Sequence, residues 1–141
     1  MPIPPGALRA FLDTDYRVRL RRGGWTVIRI GAPLPSVLHA CVKEPGTPWG
    51  FITAWNPLAQ MTSRAINRPA QRELLSALRQ LGALPCAGVG VGSGGKNDWR
   101  EPGLFVTGLD FATLDALGRR FRQAAIVRGV GHGPAELRVL A

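Results

Sequence analysis

The side chains in this sequence that could do chemistry are few and scattered: Trp55-Asn56, Ser63-Arg64, Asn67, Trp99-Arg100-Glu101 and Gln123. Their types suit recognition better than bond-making. The indoles offer flat apolar surface, the amides offer directional hydrogen bonds, and Arg64, with Lys96, offers charge for an anion. Glu101 is the one carboxylate of the group. Beside Trp99 it could have a raised pKa and act as acid or base; beside Arg100 it could equally be a structural ion pair. Asn56 follows the apolar run Phe51 to Ala54 and precedes Pro57. It reads either as the residue closing an Asx-type turn or as a polar group meeting a ligand at a strand's carboxyl end.

Other signals are weaker. Gly90 to Asn97 has the GxxxxGK spacing of a phosphate loop and also matches GxGxxG at Gly90, Gly92 and Gly95. Asn97 stands where the magnesium-binding hydroxyl belongs, and Pro102-Gly103 leaves no room for the helix whose N-terminus would bind the anion, so a hairpin loop is the expectation. There is no GxSxG and no HExxH. His39 and His132 are far apart in sequence and form no metal pattern, nor do Cys41 and Cys86, which are expected as buried free thiols. No cofactor is identified.

The chain has 141 residues, 45% of them hydrophobic, and a net charge of +9. That length and composition predict one domain with an ordinary core. The charge invites an anionic or nucleic-acid partner, although 16 of the 18 basic residues are Arg, a bias that a GC-rich genome also produces. No apolar run approaches the ~20 residues of a bilayer span, and the N-terminus lacks the regions of a signal peptide, so a cytoplasmic protein without a membrane partner is expected.

These candidates must be positioned by elements that the patterns predict. Pro4 to Asp13 reads as a short helix. Tyr16 to Arg21 alternates strictly and, after Gly23-Gly24, pairs with Trp25 to Ile30 as a hairpin. Its outer face carries Arg17, Arg19 and Arg21, which could grip the phosphates of a nucleic acid or merely be a solvated face. Gly31 to Gly50 reads as a surface connection with a helical turn or two. Strands are then expected at Phe51 to Ala54, Leu84 to Val91, Gly103 to Thr107 and Ala124 to Val127, with helices from Pro69 to Leu81 and after Thr107 or Asp110. A terminal strand is expected near Leu137 to Leu140.

The order β-α-β-β-α-β over residues 51–128 predicts an α+β fold with a ferredoxin-like core, an antiparallel sheet with two helices on one face, extended by the hairpin in residues 1–50 and a C-terminal strand in 129–141. In that arrangement Trp55, Asn56, Arg64, Asn67, Trp99, Glu101 and Gln123 converge on one edge of the sheet, where a small polar or anionic, nucleotide-like ligand would bind.

Ile52-Thr53-Ala54-Trp55-Asn56-Pro57, Asn67, Trp99-x-Glu101 and Phe121-Arg122-Gln123-Ala124-Ala125-Ile126 resemble the bacterial domain-of-unknown-function family 3293. Gly103 stands where that family carries Ser or a similar small residue. The resemblance implies no activity; it implies that Asn56, Asn67, Trp99, Glu101 and Gln123 are signature positions.

Overall fold

The computed structural model describes residues 3–92 and 99–141. Lys96 and most of the glycine run tested above as a phosphate loop lie outside the described residues. A short helix α1, Ala7–Leu12, leads into β1, Thr14–Arg19. Its alternation buries Tyr16 and Val18 and turns Arg17 and Arg19 to the other face. Gly23 and Gly24, both at positive φ, make the turn into β2, Trp25–Ile28. The chain continues through β3 Pro48–Ile52, α2 Arg64–Gln80, β4 Cys86–Gly92, β5 Arg100–Thr107, α3 Phe111–Arg120, β6 Ala125–Val130 and β7 Glu136–Val139. Asp110 caps α3 by accepting from the Thr113 N–H at 2.7 Å.

The α+β class holds, but the expected ferredoxin-like arrangement is corrected. All seven strands form one antiparallel sheet in the order β2-β1-β4-β5-β3-β6-β7, curled into a half-barrel. The hairpin is not an appendage: β1 pairs with β4 along Thr14 to Val18. Beyond β2 and before β7 the sheet's two ends meet, with Ile30 bridging Ala135 and the Gly31 N–H donating to the Ala135 carbonyl at 2.8 Å. An apolar core packs against each face. On one, Leu74 and Leu78 of α2 and Leu114 and Leu117 of α3 pack on Ile52, Leu104, Val106 and Ile126. Inside the curl, Tyr16, Val18, Ile28, Trp49, Phe51 and Phe105 form a second core.

The reason for the curl is a ring over two glycines. Gly88 of β4 pairs with Gly103 of β5, and the Phe51 ring lies on the pair. A Cβ at Gly88 would come 2.6 Å from Phe51 Cε2, and one at Gly103 would come 2.3 Å from Phe51 Cε1. Removing both side chains lets the strands wrap around the aromatic, a device sequence patterning does not report. The Gly31 to Gly50 connection also departs from expectation. Its 3-10 turn, Ser36–Cys41, buries Leu38, and with Leu34 and Val42 it plugs the inner core instead of crossing the surface.

Three smaller corrections follow from long-range packing. The helix expected from Pro69 starts at Arg64, with Pro69 inside it. Cys41 is exposed and Cys86 half-buried, and both line a cavity of about 300 Å³ with Arg21. His39 and His132 stack at 3.6 Å between ring centres, with His39 Nε2 2.9 Å from the Leu34 carbonyl. Among the described residues no helix is long and apolar enough to cross a membrane.

Gly103→Ala is expected to lower stability by about 1–3 kcal/mol through overpacking against Phe51. A urea midpoint equal to that of the wild type would show that the ring does not need the gap.

Candidate functional site

β3 ends at Ile52, and the next residues are held by side chains in place of ladder bonds. Thr53 Oγ1 lies 2.7 Å from the Pro102 carbonyl and accepts from the Trp55 N–H at 3.0 Å, while Gln71 Oε1 of α2 accepts from the Ala54 N–H at 2.8 Å. The chain then turns through Asn56 at φ 48°. Asn tolerates this left-handed region better than most residues, since its short polar side chain can bond locally.

That side chain is a hub. Asn56 Oδ1 accepts from the Thr62 N–H and from Asn67 Nδ2, both at 2.9 Å. Asn56 Nδ2 donates to Glu101 Oε1 at 2.8 Å. Its backbone N–H donates to Asn67 Oδ1 at 2.9 Å, and Asn67 Nδ2 also reaches the Thr62 carbonyl at 3.0 Å. Asn56 and Asn67 are both buried, so these bonds are made away from water, where an unmade one costs about 1–3 kcal/mol. The first turn of α2 is tied to the same hub. The Ile66 and Asn67 N–H groups donate to the Ser63 carbonyl, which carries the helix N-terminal to Pro69.

Strain collects here. Leu58, Ala59 and Arg122 share positive φ with Asn56, and the Leu58 N–H donates to the Arg122 carbonyl at 2.7 Å. Such residues persist where the surroundings over-determine them, and they concentrate at functional sites. Gln123 donates to the carbonyls of Trp55 at 3.3 Å and Phe121 at 3.2 Å, which joins the segment after α3 to the same corner.

The pleat of β5 divides the expected cluster in two. Successive side chains of a strand point to opposite faces. Arg100 and Pro102 face the α2 side and Glu101 the curled side. On the α2 side, Trp55, Arg64, Arg68, Arg72 and Arg100 line a cleft of about 500 Å³, with Gln71 and Leu75 on the helix and Val89 and Pro102 on the sheet. Arg64, Arg68 and Arg72 recur every four residues, so they form one stripe along α2. None of the cleft's four arginine side chains has a carboxylate or hydrogen-bond partner among the described residues. By contrast Arg9, Arg29, Arg120, Arg128 and Arg138 are each paired, Arg128 and Arg138 with the buried Asp115.

On the curled side, Asn56, Met61, Trp99, Glu101 and Phe11 line a second cavity of about 510 Å³ beside α1. Tyr16, Gly90 and Glu101 stand in one cross-strand row, and the Trp99 ring lies over Gly90, where a Cβ would come 3.6 Å from Trp99 Cζ3. Burial pushes the Glu101 carboxyl above the ordinary glutamate range, and the Asn56 hydrogen bond pulls partly against it. Burial likewise pushes the Tyr16 hydroxyl up, with the Glu101 charge adding to the effect.

The seven residues read from sequence are thus near one another but not around one space. Trp55 and Arg64 meet the arginine cleft. Asn56, Trp99 and Glu101 border the second cavity. Asn67 is buried between them, and Gln123 borders a void of about 40 Å³ with Glu101. The side-chain groups of Asn56 and Asn67 are engaged by the protein itself, so they set the backbone rather than present hydrogen bonds outward. Arg68, Arg72 and Gln71 were not among the candidates, and Arg100 was weighed only as an ion-pair partner for Glu101. The i, i+4, i+8 spacing of the helix arginines was the available signal, hidden because Pro69 reads as a helix start.

Asn56→Ala removes the hub and leaves an alanine in left-handed backbone; a loss of about 3 kcal/mol or more in chemical unfolding is expected. A loss under about 1 kcal/mol would mean that the network is slack. Glu101→Gln behaves differently. Because the folded-state pKa of Glu101 is raised, its contribution favours the fold at low pH and is lost as pH rises through the folded value. The variant is expected to keep its fold and to gain stability relative to wild type as pH rises from 4 towards 7 in parallel thermal melts. A relative loss over that range would reverse the sign.

No curated protein and no solved structure matches the chain. The profile of one family, a protein of unknown function designated DUF3293, matches residues 52–126, from the last residue of β3 to the second of β6. The matched span contains Trp55, Asn56, Asn67, Trp99, Glu101 and Gln123 as well as all four cleft arginines. On that match, this chain belongs to the DUF3293 family.

Proposed function

We propose that the cleft between α2 and β4–β5 binds a phosphate-bearing, nucleotide-like ligand. The observation that carries this reading is the set of four arginines on one apolar-floored cleft, none with a carboxylate partner among the described residues. Like charges gathered without counter-charge raise the energy of the empty site, and a bound anion relieves that repulsion. Guanidinium groups suit phosphate oxygens because their planar fork donates two parallel hydrogen bonds. Trp55, half-buried on the same cleft, supplies a flat surface for a base, and Leu75, Val89 and Leu104 supply apolar area.

Division of labour supports the same reading. Asn56, Asn67 and Gln71 hold the turn after β3 and the first half of α2, and so fix Trp55 opposite the arginine stripe. Glu101 takes no part in the ligand's charge, because its carboxyl faces the other cavity.

Titration with ADP, followed by tryptophan fluorescence, tests the proposal. Saturable quenching is expected, absent in Trp55→Phe. Arg68→Ala and Arg72→Ala are each expected to weaken binding about tenfold, the equivalent of ~1.4 kcal/mol. ADP and pyrophosphate both failing to bind would overturn it, as would binding unaffected by either arginine change.

A further inference from the structure

The basic surface does not stop at the cleft. In the sheet register, Arg17 of β1 is paired with Val89 of β4, and Val89 with Pro102 of β5. Directly opposed residues on antiparallel strands share a face, so Arg17 belongs to the row whose other two members form the cleft floor. Arg19, two residues on, lies on the same face and is exposed. Neither arginine has an ion-pair or side-chain hydrogen-bond partner among the described residues. Adjacent strands are about 5 Å apart, so Arg17 begins one strand away from Val89.

The helix side has its own repeat. Residues four apart on an α-helix rise by about 6 Å, so Arg64, Arg68 and Arg72 form a ladder whose spacing is comparable to that between successive phosphates of an extended strand. A single nucleotide would use part of this ladder and would leave Arg17 and Arg19 unused. Arg21 does not continue the track: it lies beyond β1, and its Nη2 donates to the Leu84 carbonyl at 3.0 Å.

We propose that the cleft is one end of a track for single-stranded nucleic acid, running from the α2 ladder across the sheet to Arg17 and Arg19, with one base stacked on Trp55. This rests on the reading that the cleft accepts a phosphate. A sequence-independent strand needs a basic groove that follows the backbone and an aromatic platform for a base, and a duplex has no free base face to offer Trp55.

The test is fluorescence anisotropy of labelled oligothymidylate of about ten nucleotides, within the range of known single-strand sites. Binding is titrated across salt concentrations, with ADP binding measured in parallel. About five phosphate contacts predict a log–log salt slope of about −3.5 for a single strand. The double variant Arg17→Ala/Arg19→Ala is expected to make the slope shallower by about 1.4 and to weaken oligonucleotide binding at least tenfold. Its ADP binding should stay within about twofold of wild type. Arg19→Glu alone, at an exposed position, serves if the double variant is unfolded, and is expected to weaken oligonucleotide binding about tenfold and to make the salt slope shallower by at least about 0.7.

ADP bound normally but the oligonucleotide not bound would overturn the track and leave the cleft reading intact. Oligonucleotide binding unchanged in both variants, or a duplex of equal length bound as tightly as the single strand, would also overturn the track. Neither ADP nor oligonucleotide bound would remove both readings.

Discussion

The side-chain amide of Asn56 is the constraint on which the rest of the candidate site depends. It sits buried at the point where β3 ends, in a backbone conformation open to few residues, and each of its polar atoms has a partner. Those partners belong to three separate parts of the chain: the turn at Thr62, the first turns of α2 at Asn67, and β5 at Glu101. In a low-dielectric setting such a network is all or nothing, since one missing member leaves the others unsatisfied. The hub therefore sets where α2 starts and how its arginine stripe meets β5.

What faces solvent is a different set of residues. The amides are turned inward, while the arginines on α2 and β5 have no carboxylate partner among the described residues. The alternation of β5 keeps the two chemistries apart. Arg100 and Pro102 contribute to an open basic cleft, and Glu101 between them contributes a desolvated carboxyl to the inside of the curl. One strand thus separates an anion-seeking surface from a half-buried acid by the thickness of a sheet.

Much of this was legible in the sequence, for physical reasons that are local. The apolar run from Phe51 announces a strand, although β3 runs from Pro48 to Ile52 and stops short of the expected Ala54. Tyr16 to Arg19 shows its two faces by alternation alone. Asp110 announces its helix by capping chemistry. The parts that were not legible depend on contacts between distant residues. The curl needs Phe51 over Gly88 and Gly103, and it needs Ile30 to meet Ala135; neither pairing leaves a periodic trace. The start of α2 at Arg64 is supported by the Asn56–Asn67 bonds, and local rules put it at Pro69. The stacked histidines and the shared cavity of the two cysteines are likewise products of the closed sheet.

The most direct test of this division between inward amides and outward arginines is a nuclear magnetic resonance titration with ADP, observing side-chain NH groups. The account predicts that the Nε–H signals of Arg64, Arg68, Arg72 and Arg100 shift progressively while the Asn56 and Asn67 amide signals stay in place. Shifts confined to the asparagine amides, with the arginine signals unmoved, would contradict it.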